Sequence, residues 1–221
     1  MSGQRVVIAG GHGQIAHHLI DLLAAAGDHP VALIRNPRHT DDVQTWGAEA
    51  LVLDLENAGV DDVAAALGSA DAAVFAAGAG PGSGPARKDT VDRAASVHLA
   101  DAAERAGVRR FVQISAFGAG EPVAADRDET WAAYIAAKTA AEEDLRARSA
   151  LDWTILRPGL LTNAAATGLV TLRRPPLDRG KVTRADVAAV IAALLGATAS
   201  FGETLLLTEG DTPVAKAVEQ L

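Results

Sequence analysis

Residues 6–16 read Val-Val-Ile-Ala-Gly-Gly-His-Gly-Gln-Ile-Ala, and this stretch restricts the fold more than any other part of the chain. Val6 to Ala9 is a short apolar run rich in β-branched residues, the pattern of a parallel strand buried on both faces. Glycines follow at once. From Gln14 onward, Ile15, Leu19, Leu22 and Leu23 recur with helical period until Gly27 ends the helix. Strand, glycine turn and helix in succession form a setting suited to a dinucleotide pyrophosphate. The turn must be tight, the backbone must approach the phosphates closely, and the helix N-terminus offers N–H groups and a partial positive charge. Gly11-x-Gly13-x-x-Ala16 fits the G-x-G-x-x-G/A form, and Gly10-x-x-Gly13-x-x-Ala16 fits a related register. Gly10, Gly11, His12, Gly13, Gln14 and Ile15 are therefore expected to hold the cofactor.

Composition narrows the remaining classes. Of the 221 residues 49% are apolar, but many are alanine and only 4% are aromatic, as alanine-rich helices on a Val/Leu/Ile sheet would give. A net charge of -8 without basic runs argues against nucleic acid as a partner. There is no cysteine, which removes disulfides, thiolate zinc sites and cysteine nucleophiles together. No segment approaches the ~20 apolar residues that span a bilayer, and no signal peptide precedes the first strand, so a cytoplasmic location is expected.

Along the chain, strands are predicted at 31–34, 50–53, 72–76, 110–114, 153–156, 169–172 and 204–207. Helices are predicted at 40–46, 60–67, 90–105, 131–148, from Asp186-Val187 onward, and at 214–221, with Thr183 to Asp186 capping the helix that follows. The glycine- and proline-rich stretch 77–85 is read as a loop beyond a strand's C-terminal end, either plain or cofactor-facing. Residues 119–130 read as a polar surface loop or lid, in which Asp126, Asp128 and Glu129 are solvated acids. The alternation predicts an α/β fold, a doubly wound parallel sheet of Rossmann type over 1–221, with 158–221 a small substrate-facing portion.

The residue closing the second strand discriminates between dinucleotides. An acid there would bond a ribose 2′-hydroxyl, whereas an arginine pairs with a 2′-phosphate. Here it is Arg35, with Arg38 and His39 close behind, so NADP is expected. Asp54 and Leu55 follow the third strand and are placed to lie against the adenine. The single tyrosine, Tyr134, stands four residues before Lys138, on one face of helix 131–148. A phenol near pKa 10 is a poor proton relay at neutral pH, and a neighbouring ammonium is expected to lower it. Ser115, at the end of strand 110–114, is expected to orient a substrate oxygen towards Tyr134. Such a set protonates a carbonyl oxygen while NADPH delivers hydride, or runs the reverse. His12, His17 and His18 show no acidic partner at ligand spacing, and no metal is expected.

With these motifs the chain resembles the short-chain dehydrogenase/reductase superfamily, in its atypical, epimerase/dehydratase-like branch. The resemblance spans essentially the whole chain through Ile8–Ala16, Ile34-Arg35, Asp54-Leu55, Ala76-Ala77-Gly78, Ile114-Ser115-Ala116, Tyr134 to Lys138, Leu156-Arg157-Pro158-Gly159-Leu160 and Thr183 to Ala188. It implies NADP binding, a Rossmann-type fold and a Ser–Tyr–Lys set assisted by an asparagine, where this chain has Asp92. It also implies that Ala76, Ala77, Gly78, Ser115 and Lys138 meet the cofactor, and that 157–161, with Pro158, Gly159 and Leu160, line its reactive end. An oxidoreductase acting on a small molecule, as monomer or homodimer, follows. The alternatives are a sugar-nucleotide epimerase or dehydratase, for which the chain is short, and a non-catalytic NADPH-binding redox sensor.

Overall fold

A computed structural model describes residues 3–80, 82–123 and 128–221. Strand β1 (Arg5–Ala9) lies inside a mostly parallel sheet, and Val6 to Ala9 are 0% exposed, as a two-sided apolar run requires. On one side of it run β2 (His29–Ile34) and β3 (Glu49–Val52). On the other run β4 (Ala72–Phe75), β5 (Arg110–Ile114), β6 (Asp152–Pro158) and β10 (Glu203–Glu209), all parallel. Strand β8 (Leu169–Arg173) pairs antiparallel with β10, and the short β11 (Thr212–Pro213) closes that edge. The chain order reverses direction between β1 and β4, so a crevice opens there beyond the carboxyl ends of the strands.

Alternate residues of each strand feed two cores. Val6 and Ile8 face Leu19, Ile20 and Leu23 of α1 (Gln14–Ala25) and Val190, Ile191 and Leu194 of α7 (Arg184–Leu195). Val7 and Ala9 face the layer of α3 (Val60–Leu67), α5 (Ala95–Ala106) and α6 (Glu129–Arg146), with Phe75, Leu99 and Phe111 fully buried. Each such side chain stabilises the fold by roughly 1.5–3 kcal/mol relative to exposure. The remaining helices are α2 (Thr40–Thr45) and α8 (Val214–Glu219).

Three departures from the sequence reading bear on the site. The helix expected at 90–105 begins earlier: α4 (Pro85–Arg87), with Pro85 at its start, runs through a π-helical segment (Lys88–Ala94) into α5. Helix α6 begins at Glu129 because the Asp128 carboxylate accepts the Trp131 N–H at 2.9 Å, so Asp128, exposed as expected, is also a helix cap. Asp126 lies outside the described residues. Finally, β10 and α7 are built into the main sheet and its core, while β7 (Leu160–Thr162) and β9 (Lys181–Thr183) form a separate parallel pair beyond β6.

Candidate active site

At the reversal point a cleft of about 420 Å³ is lined by the turn after β1 (Gly10 to Gly13), the ends of β2 and β3, and Ala76 to Ala79 after β4. Two glycines are required by the fold here. Gly10 has φ +79°, and a Cβ on it would lie 2.7 Å from the Ala77 backbone; a Cβ on Gly11 would collide with Ala32. The turn is closed by Gly13 N–H to Gly10 O at 2.8 Å and Gly11 N–H to Leu33 O at 3.0 Å. Helix α1 then starts at Gly13 with no side-chain cap and no acid in its first turn. Its first N–H groups therefore stay available to an anion, so the turn suits a pyrophosphate. Gln14 and Ile15, expected here, do not line this cleft, and Gln14 borders a second cavity with His17, His18, Asn163 and Arg184.

The end of the cleft beyond β2 and β3 carries an ion cluster that the sequence reading missed. Arg35 is 3.0 Å and Arg87 2.8 Å from Glu56, which also accepts the Thr90 hydroxyl at 2.7 Å. Arg35 is thus in the cleft wall but already paired. Asp54 turns its carboxylate to the Glu56 N–H and the Asn57 amide rather than into the cleft, although Asp54 and Leu55 remain part of its lining. Asn36 and His39 complete the rim. The His12 ring stacks on His39 at 3.6 Å and lies 2.9 Å from Asp42, while His17 stacks on Trp46 at 4.0 Å. Both His12 and His17 thus have a carboxylate neighbour, the latter Asp21 at 3.4 Å. Among the described residues, no group of three or more His, Cys, Asp or Glu is placed to hold a metal ion.

Beyond the Ala76–Ala79 wall stand the chemical residues. Lys138, 4% exposed, places its ammonium 3.3 Å from Asp92 and 3.1 Å from the Ile114 carbonyl. Asp92, 1% exposed, also accepts the Ala79 N–H at 3.2 Å. One turn earlier, buried Lys88 donates to the Gly80 carbonyl at 2.9 Å. The Tyr134 ring lies between the two lysines, 5.4 Å from the Lys88 ammonium and 5.9 Å from that of Lys138. Contrary to the expected activation, the phenol is pushed up to about 12, first by burial and then by the Asp92 charge. The charge of Lys138 is compensated by Asp92, and burial lowers its own pKa.

Ser115 corrects a second expectation. Its hydroxyl is 3% exposed and donates to Glu142 at 2.5 Å. Glu142 is fully buried and is held by both Nε and Nη2 of Arg157, at 2.8 and 2.5 Å, and by Arg146 at 2.6 Å. Because Glu142 follows Lys138 by four residues, this network ties the ends of β5 and β6 to the helix bearing Tyr134. Pro158, Gly159 and Leu160 do not line the cleft. Gly159 packs on Gly180, where a Cβ would clash with the Gly180 carbonyl oxygen, and Leu160 is 74% exposed. Glu56, Lys88 and Glu142 escaped the sequence reading because Glu56 and Glu142 acquire most of their partners across 15 or more positions and Lys88 through the π-helical register.

Residues 10–198 match the family model for NAD(P)H-binding proteins. The chain is 35% identical to the uncharacterized sugar epimerase YhfK of Bacillus subtilis over 98% of this chain and all of that one. It is 37% identical, with a TM-score of 0.90, to a Bacillus halodurans structure named as an NAD-dependent epimerase/dehydratase, covering 99% of this chain and 100% of that one. It is 28% identical, with a TM-score of 0.76, to ChuY, an anaerobillin reductase from Escherichia coli O157:H7, covering 93% and 97%. The chain belongs to the NAD(P)H-binding family, with a Rossmann-like α/β fold.

Proposed function

We propose that the protein is an NADPH-dependent reductase of small carbonyl or quinone-like compounds, with Tyr134 as the proton donor. The observation that carries this reading is the setting of Tyr134: a half-buried phenol whose ring centre lies 5.4 and 5.9 Å from two ammonium groups, next to the wall of the dinucleotide cleft. Gly10 to Gly13 and Ala76 to Ala79 would hold a dihydronicotinamide cofactor, which when bound would supply the hydride for the carbonyl carbon. The substrate oxygen, becoming an alkoxide, takes the phenolic proton, and a product alcohol results. Lys138 and Lys88 stabilise the phenolate left behind, and solvent returns its proton. Alcohol oxidation requires the phenolate at the outset, which burial and Asp92 disfavour, so the arrangement favours reduction. The neighbours named as reductases and oxidoreductases lend support. The test is steady-state NADPH oxidation with a panel of aldehydes and quinones. Tyr134→Phe should lose about 100-fold or more in turnover, whereas an equally active variant would remove the tyrosine from the mechanism.

Preference for NADPH rests on Arg35 and Arg87, two cations sharing one carboxylate at the adenosine end. A 2′-phosphate would draw both away from Glu56 as bidentate partners. Glu56 itself supports the opposite reading, since an acid there suits the free 2′-hydroxyl of NADH. Fluorescence titration distinguishes them. If NADPH is the ligand, Arg35→Ala should weaken NADPH selectively by roughly 10-fold and Glu56→Gln should not, each lost charged hydrogen bond costing about 1.5–3 kcal/mol. If NADH is the ligand, Glu56→Gln is the damaging change.

A further inference from the structure

Lys88, placed above beside the Tyr134 ring, is buried with few partners of its own. It is 8% exposed, and among the described residues its ammonium has one hydrogen-bond partner, the Gly80 carbonyl at 2.9 Å. An ammonium has three donors, and a buried one is stable only when its charge is met by an anion or by several acceptors. Asp92, the nearby carboxylate, is committed to Lys138 and to the Ala79 N–H. Glu142 is surrounded by Arg157, Arg146 and Ser115. With Tyr134 neutral, Lys88, Lys138 and Asp92 leave one positive charge uncompensated at the phenol. Gly80 lies outside the sheet, in the glycine-rich stretch after β4, and its carbonyl also accepts the Ser83 hydroxyl at 2.8 Å, so it keeps a donor when Lys88 turns to a ligand.

We infer that Lys88 is the specificity-determining residue of this site and that it binds a carboxylate on the substrate, next to the carbonyl that is reduced. This assignment deepens the reductase reading and rests on it: the substrate class becomes the 2-oxo carboxylates and related oxo acids. In the bound state the carboxylate replaces the Gly80 carbonyl as partner of the Lys88 ammonium. Because the Lys88 ammonium lies 5.4 Å from the Tyr134 ring centre, a carboxylate held by it would bring the vicinal oxo oxygen towards the phenol. The carboxylate is unchanged by the reaction: the oxo carbon gains a hydride and its oxygen gains the phenolic proton.

Phenylglyoxylate and its uncharged methyl ester share a skeleton and a ketone, and so isolate the charge. Calorimetric titration of each into the purified protein, with and without saturating NADP, reads binding alone and requires no turnover. The acid is expected to bind about 10- to 100-fold more tightly than the ester. That preference should disappear in Lys88→Gln and persist in Lys88→Arg. Equal binding of acid and ester by the wild-type protein, or no binding of either, overturns the assignment without any variant. A preference that survives Lys88→Gln overturns it as well. Loss of catalysis in Tyr134→Phe leaves this readout untouched, so the failure of either reading is recognisable separately.

Discussion

Ser115 and Tyr134 differ in what their hydroxyl groups are free to do. The Ser115 proton is committed to a buried carboxylate, so Ser115→Ala should alter kcat by only a few fold while lowering stability by about 1.5–3 kcal/mol, the usual worth of one hydrogen bond to a charged group, since Arg157 and Arg146 still hold Glu142. A loss of kcat comparable to that of Tyr134→Phe would return the serine to the chemistry. As the proposed proton donor Tyr134 would act in its protonated form, which exists below its pKa. With that value raised from 10 to about 12, the acid form persists further into alkali. The rate of reduction should therefore show no decline attributable to this group near pH 10, and should fall only as pH approaches 12. A pH–rate profile falling with a midpoint near 8 would mean that Lys138 activates the phenol after all. Tyr134 and Lys138 were legible in the sequence because both sit four apart on one helix. The direction of the tyrosine's shift was not, since it depends on Asp92, a residue 42 positions upstream that only the fold brings to Lys138 at 3.3 Å.

The elements were legible where one interaction range decided them. Strand β1, the glycine turn and α1 follow from contiguous residues, and both φ +79° at Gly10 and the close approach of Gly11 to Ala32 explain why those two positions tolerate no side chain. Gly10→Ala should destabilise the protein by roughly 1–3 kcal/mol, read as a lower urea midpoint, because its methyl group meets the Ala77 backbone. Unchanged stability would show that the turn can relax. The small pair β7/β9 was invisible beforehand because three-residue strands carry no readable period. The start of α4 was signalled by Pro85, but the surrounding glycines spoke for a loop. The π-helical segment that orients Lys88 and Asp92 has no propensity signature in the chain.

For the molecule as a whole, one buried arginine ties distant parts of the chain together. Arg110, at the start of β5, donates to the carbonyls of Leu194 and Leu195 at the end of α7, to that of Asp152, and to Thr154 and Ser200. Burial pushes its pKa down to about 10, partly offset by Asp152. Arg110→Met should cost roughly 3 kcal/mol in urea unfolding by leaving several of these acceptors without a donor, and a neutral result would make the network dispensable. The fold class was readable because the β–α alternation is a property of the whole sequence, whereas such long-range polar ties follow from no local pattern. The helical run 85–106 has a further consequence. Arg87, Val91 and Ala95 face the dinucleotide cleft, while Lys88 and Asp92 hold the loop beside Tyr134. With an oxo acid on Lys88 as inferred above, a single wall would serve both that acid and the nucleotide. Thermodynamic reciprocity then requires that the factor by which the nucleotide changes affinity for an oxo acid equal the factor by which the acid changes affinity for the nucleotide.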